Sequence, residues 1–289
     1  MQCLEAVKLT ALMARTHGHP DVKIGLIDGP VAMQHPDLSG EHLRELLATR
    51  PDAHADRSAL LHGTFVAGIL SARRGSTAPA ICPGCTLLIR PVFTQHDSRS
   101  GLMTSASPRE LGDAIIACIG AGARLINLSL ALVGSSTTGE RHLREALDLA
   151  AARDVIIVAA AGNQGTLGGT LITQHPRVIP VVACDQRGRP LDASNLGSSI
   201  GRRGLTAPGD DITSLNTEGP ALTSCGTSVA APFVTGAIAL LWSAFPAASA
   251  AQITQAVSQA SVNRRASVVP PLMNAEMAFT FLRTGEVGG

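Results

Sequence analysis

Short, uninterrupted runs of apolar residues alternate along this chain with longer segments in which apolar residues recur at helical spacing. A run without polar alternation is typical of a strand that is covered on both faces. The predicted strands cover 22–27, 86–93, 125–130, 155–160 and 178–183. The predicted helices cover 108–121, 140–152, 227–242, 252–260 and 275–282, and another begins at His62. Because such alternation requires crossover connections, we expect an α/β protein of three layers, with a mostly parallel central sheet and helices on both faces.

Length and composition fit a single domain. The chain has 289 residues, of which 45% are hydrophobic, and this is enough to build one large core. No charged or Pro-rich linker divides the sequence, and no internal repeat is present. We therefore expect one domain over 1–289, with its core at about 22–282.

Composition also argues against several classes of partner. The net charge is +1 and no basic patch is present, so nucleic acid and anionic membrane surfaces are not expected to bind. Tyr is absent and Trp occurs once, which leaves little surface for stacking on single-stranded bases. No apolar stretch of about 20 residues predicts a membrane span. Residues 1–15 lack the pattern of a secretion signal, so we expect a cytoplasmic location, or secretion if a signal or propeptide has been removed.

The six cysteines do not form a recognisable metal motif. Cys82 and Cys85 make a CxxC pair on a Pro-Gly turn, but a structural zinc site needs four ligands and no second pair follows. We expect two thiols or a small local disulfide at this turn. No cofactor or metal ion is expected from the sequence.

Four polar residues occupy positions suited to acyl transfer. A serine nucleophile needs a base to take its proton, a group that fixes the tautomer of the base, and donors for the oxyanion. Ser228 begins the longest apolar helix, where free N–H groups favour negative charge, and Pro232 is expected to be tolerated because it falls in about the first turn. His62 begins another helix. Asp28 and Asn163 each follow a predicted strand, and in a parallel sheet such residues meet at one edge.

Each of these positions alone is more often a cap, a turn or a loop, but their order along the chain is informative. Asp, then His, then Ser is the order of the subtilisin triad. Six blocks stand in that arrangement, namely 25–29, 35–38, 62–68, 126–130, 159–163 and 226–232. Together they resemble the subtilisin-like serine peptidases, and the resemblance runs from about residue 22 to residue 282.

This resemblance implies a subtilisin-like fold and a role for each site residue. Ser228 would be the nucleophile, His62 the general base and acid, and Asp28 the carboxylate that orients His62. Asn163 would supply the oxyanion-hole amide together with the Ser228 N–H. The residues implied to contact substrate are Ser129, Leu130 and Ala131 on one side, and Ala160, Ala161 and Gly162 on the other wall of the primary specificity pocket.

Some positions depart from the usual family pattern. The sequence Asp28-Gly29-Pro30, followed by the block 35–38, is similar to that of the cyanobactin-maturation proteases, which trim ribosomal precursor peptides. Ala131 and Leu132 stand where the family usually has glycines, so the pocket wall should be bulkier. The loop 73–77 has two arginines and no carboxylate, so a structural calcium ion is not favoured although Asp37 keeps one ligand. Cys225 has no paired base in the family pattern and is expected to be a buried neighbour of Ser228.

We expect a serine endopeptidase that hydrolyses peptide bonds through an acyl-enzyme intermediate. Its expected substrate is a peptide or protein precursor that it cleaves selectively, and a ribosomal precursor peptide is one such partner. Three alternatives stay open. A peptide macrocyclase uses the same triad, but the helical insertion that we associate with that activity is not evident between Phe93 and Leu125. A general degradative subtilase is the second, and a catalytically silent peptide-binding relative the third, although no triad member is lost.

Overall fold

A computed structural model describes residues 1–38, 40–46, 57–92, 105–132, 136–259 and 267–285. Within these residues, seven strands form one parallel sheet in the order β2-β3-β1-β5-β7-β8-β9. Their bounds are β1 Lys23–Asp28, β2 Leu43–Glu45, β3 Thr86–Pro91, β5 Leu125–Leu128, β7 Ile156–Ala160, β8 Val178–Cys184 and β9 Leu205–Pro208. The short strands β4 Ser105–Ala106 and β6 Ala131–Leu132 pair with each other, as do β10 Ile212–Ser214 and β11 Leu222–Ser224. The predicted α/β class with a mostly parallel sheet is confirmed.

Helices cover both faces of the sheet. The helices are α1 Gln2–Ala6, α2 Leu9–Arg15, α3 Arg57–Ser71, α4 Pro108–Gly120, α5 Thr137–Ala152, α6 Leu171–Gln174, α7 Ser198–Arg203, α8 Thr227–Ala244, α9 Ala250–Gln259 and α10 Ala275–Thr284. Helices α3 and α8 pack on one face together with α2, whereas α4 and α5 pack on the other. The three-layer arrangement follows from this division.

Side chains of β1, β3 and β7 alternate between two apolar clusters. Leu26 of β1 belongs to the cluster under α3 and α8, and its neighbour Ile27 belongs to the cluster under α4 and α5. Both are fully buried, which explains why the strand sequences read as continuous apolar runs. Helix α8 is long and apolar enough to cross a membrane, with a mean hydropathy of 1.5, but 83% of it is buried inside the domain. It is therefore the central helix of the core.

The structure shifts some boundaries of the predicted elements. His62 does not begin its helix, because α3 already starts at Arg57 with a run of helix-forming residues. Pro232 likewise lies beyond the first turn of α8, which begins at Thr227. Before β1, helix α1 packs against the core through Leu4 and helix α2 through Leu9 and Leu12, so the core extends in front of residue 22.

The strand order determines where a site can form. From β1, the chain crosses through α3 to β3 on one side and then through α4 to β5 on the other side of β1. Such a reversal opens a crevice at the carboxyl ends of the strands. Asp28 is the last residue of β1, and Asn163 follows β7 at the same edge.

Candidate active site

The innermost part of the site is a buried pair between a carboxylate and an imidazole. His62 Nδ1 lies 2.6 Å from Asp28 Oδ1, and the two side chains are 7% and 0% exposed. The Gly29 N–H also donates to Asp28 Oδ1, at 2.6 Å. Helix α3 comes this close because Gly63 has no side chain: a Cβ there would lie 2.3 Å from the Pro30 carbonyl oxygen. The pair fixes one ring nitrogen of His62 and orients the other.

Two opposing effects set the pKa of His62. Burial lowers it, because the charged ring loses its hydration, whereas the charge of Asp28 and the hydrogen bond to that carboxylate raise it. The net result is a pKa above the ordinary value of 6.5. Within the described residues, the buried Nε2 of His62 has no hydrogen-bond partner. This nitrogen is thus available to accept a proton from another group.

Ser228 lies at the amino end of α8, in the same cleft as His62. The helix is preceded by Gly226, whose φ of +126° is rarely adopted by residues with a side chain. Ser228 is half-buried, and no acceptor for its backbone N–H is found among the described residues. A free N–H at a helix start favours an anion in front of it.

The carboxamide of Asn163 is held in one orientation. Its Oδ1 accepts two hydrogen bonds from Thr227, one from the backbone N–H and one from the side-chain Oγ1, each of 2.9 Å. Within the described residues Nδ2 has no hydrogen-bond partner, and it lies next to Gly226, where an added Cβ would be 3.0 Å away. Asn163 therefore presents a fixed donor at the cleft, beside the start of α8.

The cleft that joins these groups has a volume of about 310 Å³. It is lined by predicted residues, namely His62, Ser129, Leu130, Ala160, Ala161, Gly162, Asn163 and Ser228. Ala131 is the first residue of β6, beside Leu130, and its side chain is outside the described part of the structure. Asp28 does not line the cleft and lies behind His62. The structure thus brings the two predicted walls and the four predicted catalytic groups together.

Sequence reasoning did not assign five further lining residues, Leu132, Gln164, Thr170, Ile172 and Thr227. Leu132 had only been noted as narrowing the wall. Gln164, Thr170 and Ile172 lie in the loop and short helix after Asn163, and Thr227 is the residue before Ser228. A loop without periodicity gives no signal for which of its residues faces a cleft.

The cysteines differ from expectation at one position. Cys225 is exposed, so the prediction of a buried neighbour was wrong. It follows β11, in which alternate residues face solvent, and this alternation places Thr223 and Cys225 outward. Cys82 and Cys85 are buried free thiols on a turn closed by a 3.0 Å bond from Cys85 N to Cys82 O.

No cluster of three or more His, Cys, Asp or Glu side chains suited to a metal occurs in the described part of the chain. Asp37, the one calcium ligand considered from the sequence, pairs with Arg73 at 3.1 Å. A cation at Asp37 would compete with this guanidinium for the carboxylate. Independence from metal ions stays a prediction.

The domain combines a parallel sheet, a crevice at its switch point, a buried Asp–His pair, and a serine at a helix start beside a fixed carboxamide. These features define a subtilisin-type serine peptidase domain. Comparison with known proteins agrees. Residues 19–275 match the profile of the subtilase family, and the chain belongs to that family.

Three relatives illustrate the range of the match. A thermostable alkaline protease of Halalkalibacterium halodurans is 30% identical over 238 residues, which are 82% of this chain and 61% of that protein. The prenylagaramide maturation protease PagA superposes with a TM-score of 0.81 at 28% identity, over 95% of this chain and 98% of PagA. A mutant of the protease domain of PatA gives a TM-score of 0.81 at 31% identity, over 94% and 98%. The chain therefore spans less than two thirds of the first protein but nearly the whole of the two solved domains.

Proposed function

We propose that this protein is a serine endopeptidase that cleaves a peptide or protein precursor selectively, with Ser228 as the nucleophile. The observation that carries the proposal is the buried 2.6 Å contact between His62 and Asp28, at a cleft that Ser228 and Asn163 also line. A buried imidazole that is held by a carboxylate and has its second nitrogen unoccupied is suited to act as a general base.

The chemistry follows from the positions of these groups. Ser228 Oγ attacks the scissile carbonyl carbon while His62 Nε2 takes the hydroxyl proton. The carbonyl oxygen becomes an oxyanion that accepts hydrogen bonds from Asn163 Nδ2 and from the Ser228 N–H. His62 then gives its proton to the leaving amine, and an acyl-enzyme remains. Water attacks the acyl-enzyme by the same route and releases the new carboxylate.

The walls of the cleft favour selectivity over broad degradation. Apart from His62, the lining side chains in the described part of the chain are uncharged, and Leu132 and Ile172 add apolar bulk. A pocket of this kind distinguishes side chains by only about 1–3 kcal/mol per methylene-sized difference. Strong selectivity would therefore come from several subsites read together along an extended peptide, paired with the backbone of Ser129 and its neighbours.

The similarity to PagA and PatA supports a precursor as the substrate. PagA is described as a maturation protease, and both solved domains are covered almost completely by this chain. A precursor peptide presents an extended segment, which is the conformation that strand pairing requires. We propose a ribosomal precursor peptide as one such substrate.

The test is digestion of a peptide library that spans candidate precursor sequences, read by mass spectrometry, with Ser228→Ala as the control. We expect a few sites to be cut, each product pair gaining one water, and no cleavage by the variant. Rapid cleavage of casein at many sites would contradict selectivity. A product without the added water would indicate a macrocyclase. A fluorophosphonate should label Ser228, and labelling at Cys225 would refute the assignment of the nucleophile.

A further inference from the structure

One backbone group of the proposed nucleophile cannot bond in the ordinary helical way. In an α-helix, each carbonyl accepts from the N–H four residues later, so the Ser228 carbonyl would use residue 232. Residue 232 is a proline inside α8, and proline has no N–H to donate. The carbonyl next to the catalytic side chain is therefore left without its helical partner.

The side chain of Ser129, the residue after β5, takes the place of this partner. Ser129 Oγ lies 2.8 Å from the Ser228 carbonyl oxygen. Because a carbonyl only accepts, the hydroxyl of Ser129 must donate to it. Ser129 is 1% exposed, so water does not compete for this contact.

The hydroxyl is itself held by a buried chain of hydrogen bonds. Asn127 Nδ2 lies 2.8 Å from Ser129 Oγ, and Thr235 Oγ1 donates to Asn127 Oδ1 at 2.8 Å. Since the single proton of Ser129 points to Ser228, the amide nitrogen of Asn127 must face Ser129, and its oxygen must face Thr235. The sequence of donors therefore has one direction, and it begins and ends on α8. Asn127 and Thr235 are both fully buried.

We propose that the Ser129 side chain is a positioning residue, which anchors the peptide unit of Ser228 in place of the N–H that Pro232 lacks. This inference rests on the proposed function of Ser228. The anchored carbonyl belongs to Ser228, the residue whose side chain is the proposed nucleophile. The N–H of the same residue is the proposed oxyanion donor. Losing the anchor would move both groups relative to His62 and Asn163, and a small misplacement of reacting groups is costly in rate.

The substrate contact proposed for Ser129 uses its main chain, whereas the anchoring of Ser228 uses its hydroxyl. A change of the side chain therefore tests the anchoring role by itself. Ser129→Ala keeps the main chain and removes only the hydroxyl. We expect kcat to fall by about 10-fold or more, in keeping with the loss of a bond to a buried acceptor, while KM changes little. Ser129→Thr keeps a hydroxyl and should retain most of the activity.

The decisive experiment is a double-mutant cycle with Pro232→Ala, which restores an N–H at position 232. In Ser129→Ala/Pro232→Ala, that N–H can bond to the Ser228 carbonyl, and we expect kcat within about 3-fold of Pro232→Ala alone. The rate of fluorophosphonate labelling at Ser228 should follow the same pattern. Because a proline inside a helix is itself destabilising, Pro232→Ala can also raise the stability of the fold. Chemical denaturation of all four proteins therefore accompanies the cycle, and a positioning role requires that kcat recovers by more than the change in the free energy of unfolding explains.

Two results would overturn the inference: full kcat in Ser129→Ala, or a double variant as slow as Ser129→Ala despite an active Pro232→Ala. Failure of the proposed function looks different. In that case the unaltered protein would itself resist labelling at Ser228 and would cleave no peptide. If the unaltered protein is labelled and the cycle shows no coupling, only the positioning role is wrong.

Discussion

Two His–Asp pairs of this molecule have nearly the same distance and differ in their burial. His62 and Asp28 are 2.6 Å apart at 7% and 0% exposure, whereas His142 and Asp113 are 2.7 Å apart at 32% and 55% exposure. The first pair is buried between β1 and α3, and the second bridges α5 and α4 at the surface. Water screens the surface pair and leaves it a contribution of about 0–1 kcal/mol. Burial, and not distance, therefore makes the first pair able to control a proton.

The largest expected effect comes from Asp28→Asn. The amide keeps the size of the side chain but removes the charge that holds the Nδ1 proton of His62, so the wrong tautomer can form. We expect kcat to fall by roughly 10⁴-fold, the size seen for such a change in other serine peptidases. Steady-state kinetics against the best library peptide measures this fall. Asp113→Asn is the matched control, and an equal loss there would invalidate the contrast between the pairs.

A smaller loss of kcat is expected from a change of Asn163, the neutral hydrogen-bond donor at the same edge of the sheet as Asp28. Asn163→Ala removes a group that bonds to the substrate mainly in the transition state, so kcat should fall by roughly 10²–10³-fold with little change in KM. The magnitude of this effect is known from subtilisin, a member of the same family. A rise in KM with kcat intact would show instead that Asn163 holds the ground-state substrate.

The pH profile tests the buried pair directly. His62 must be neutral to accept a proton, and its pKa is raised above 6.5, so kcat/KM should fall as pH drops through a value above 6.5. In Asp28→Asn, burial remains while the charge is lost, and the residual activity should titrate at a lower pH. For folding the sign is opposite: the stabilisation from His62 is complete below 6.5 and is lost as pH rises through the folded-state pKa. An inflection below 6.5 in the unaltered protein would contradict the raised pKa.

The smallest effect is expected at the surface pair itself. Asp113→Asn should change the free energy of unfolding by less than about 1 kcal/mol, because both partners are solvated. Chemical denaturation of the two proteins at low and high salt measures this difference. A loss of several kcal/mol would mean that exposure does not separate the two pairs.

The sequence predicted the sheet and the catalytic groups for physical reasons that can be named. Parallel strands covered on both faces read as apolar runs, so β1 and β7 were found, and with them Asp28 and Asn163 at their ends. Prediction failed where contacts between residues far apart in sequence determine whether a side chain is exposed or lines the cleft. Cys225 points outward because of a short hairpin, and Ile172 reaches the cleft from α6, a helix of four residues that is too short to show periodicity. The role proposed for the hydroxyl of Ser129 depends on Pro232, a residue far away in sequence.

The outward position of Cys225 has a practical consequence. Of the cysteines in the described structure it is the exposed one, and it stands just before the turn that leads into Ser228. A thiol-reactive fluorophore attached under mild conditions would accordingly be close in sequence to Thr227 and Ser228, which line the cleft. Its emission would respond when a peptide enters, even in a variant that lacks the nucleophile. The protein thus carries a natural attachment point for an optical binding assay, with which affinity can be measured separately from turnover.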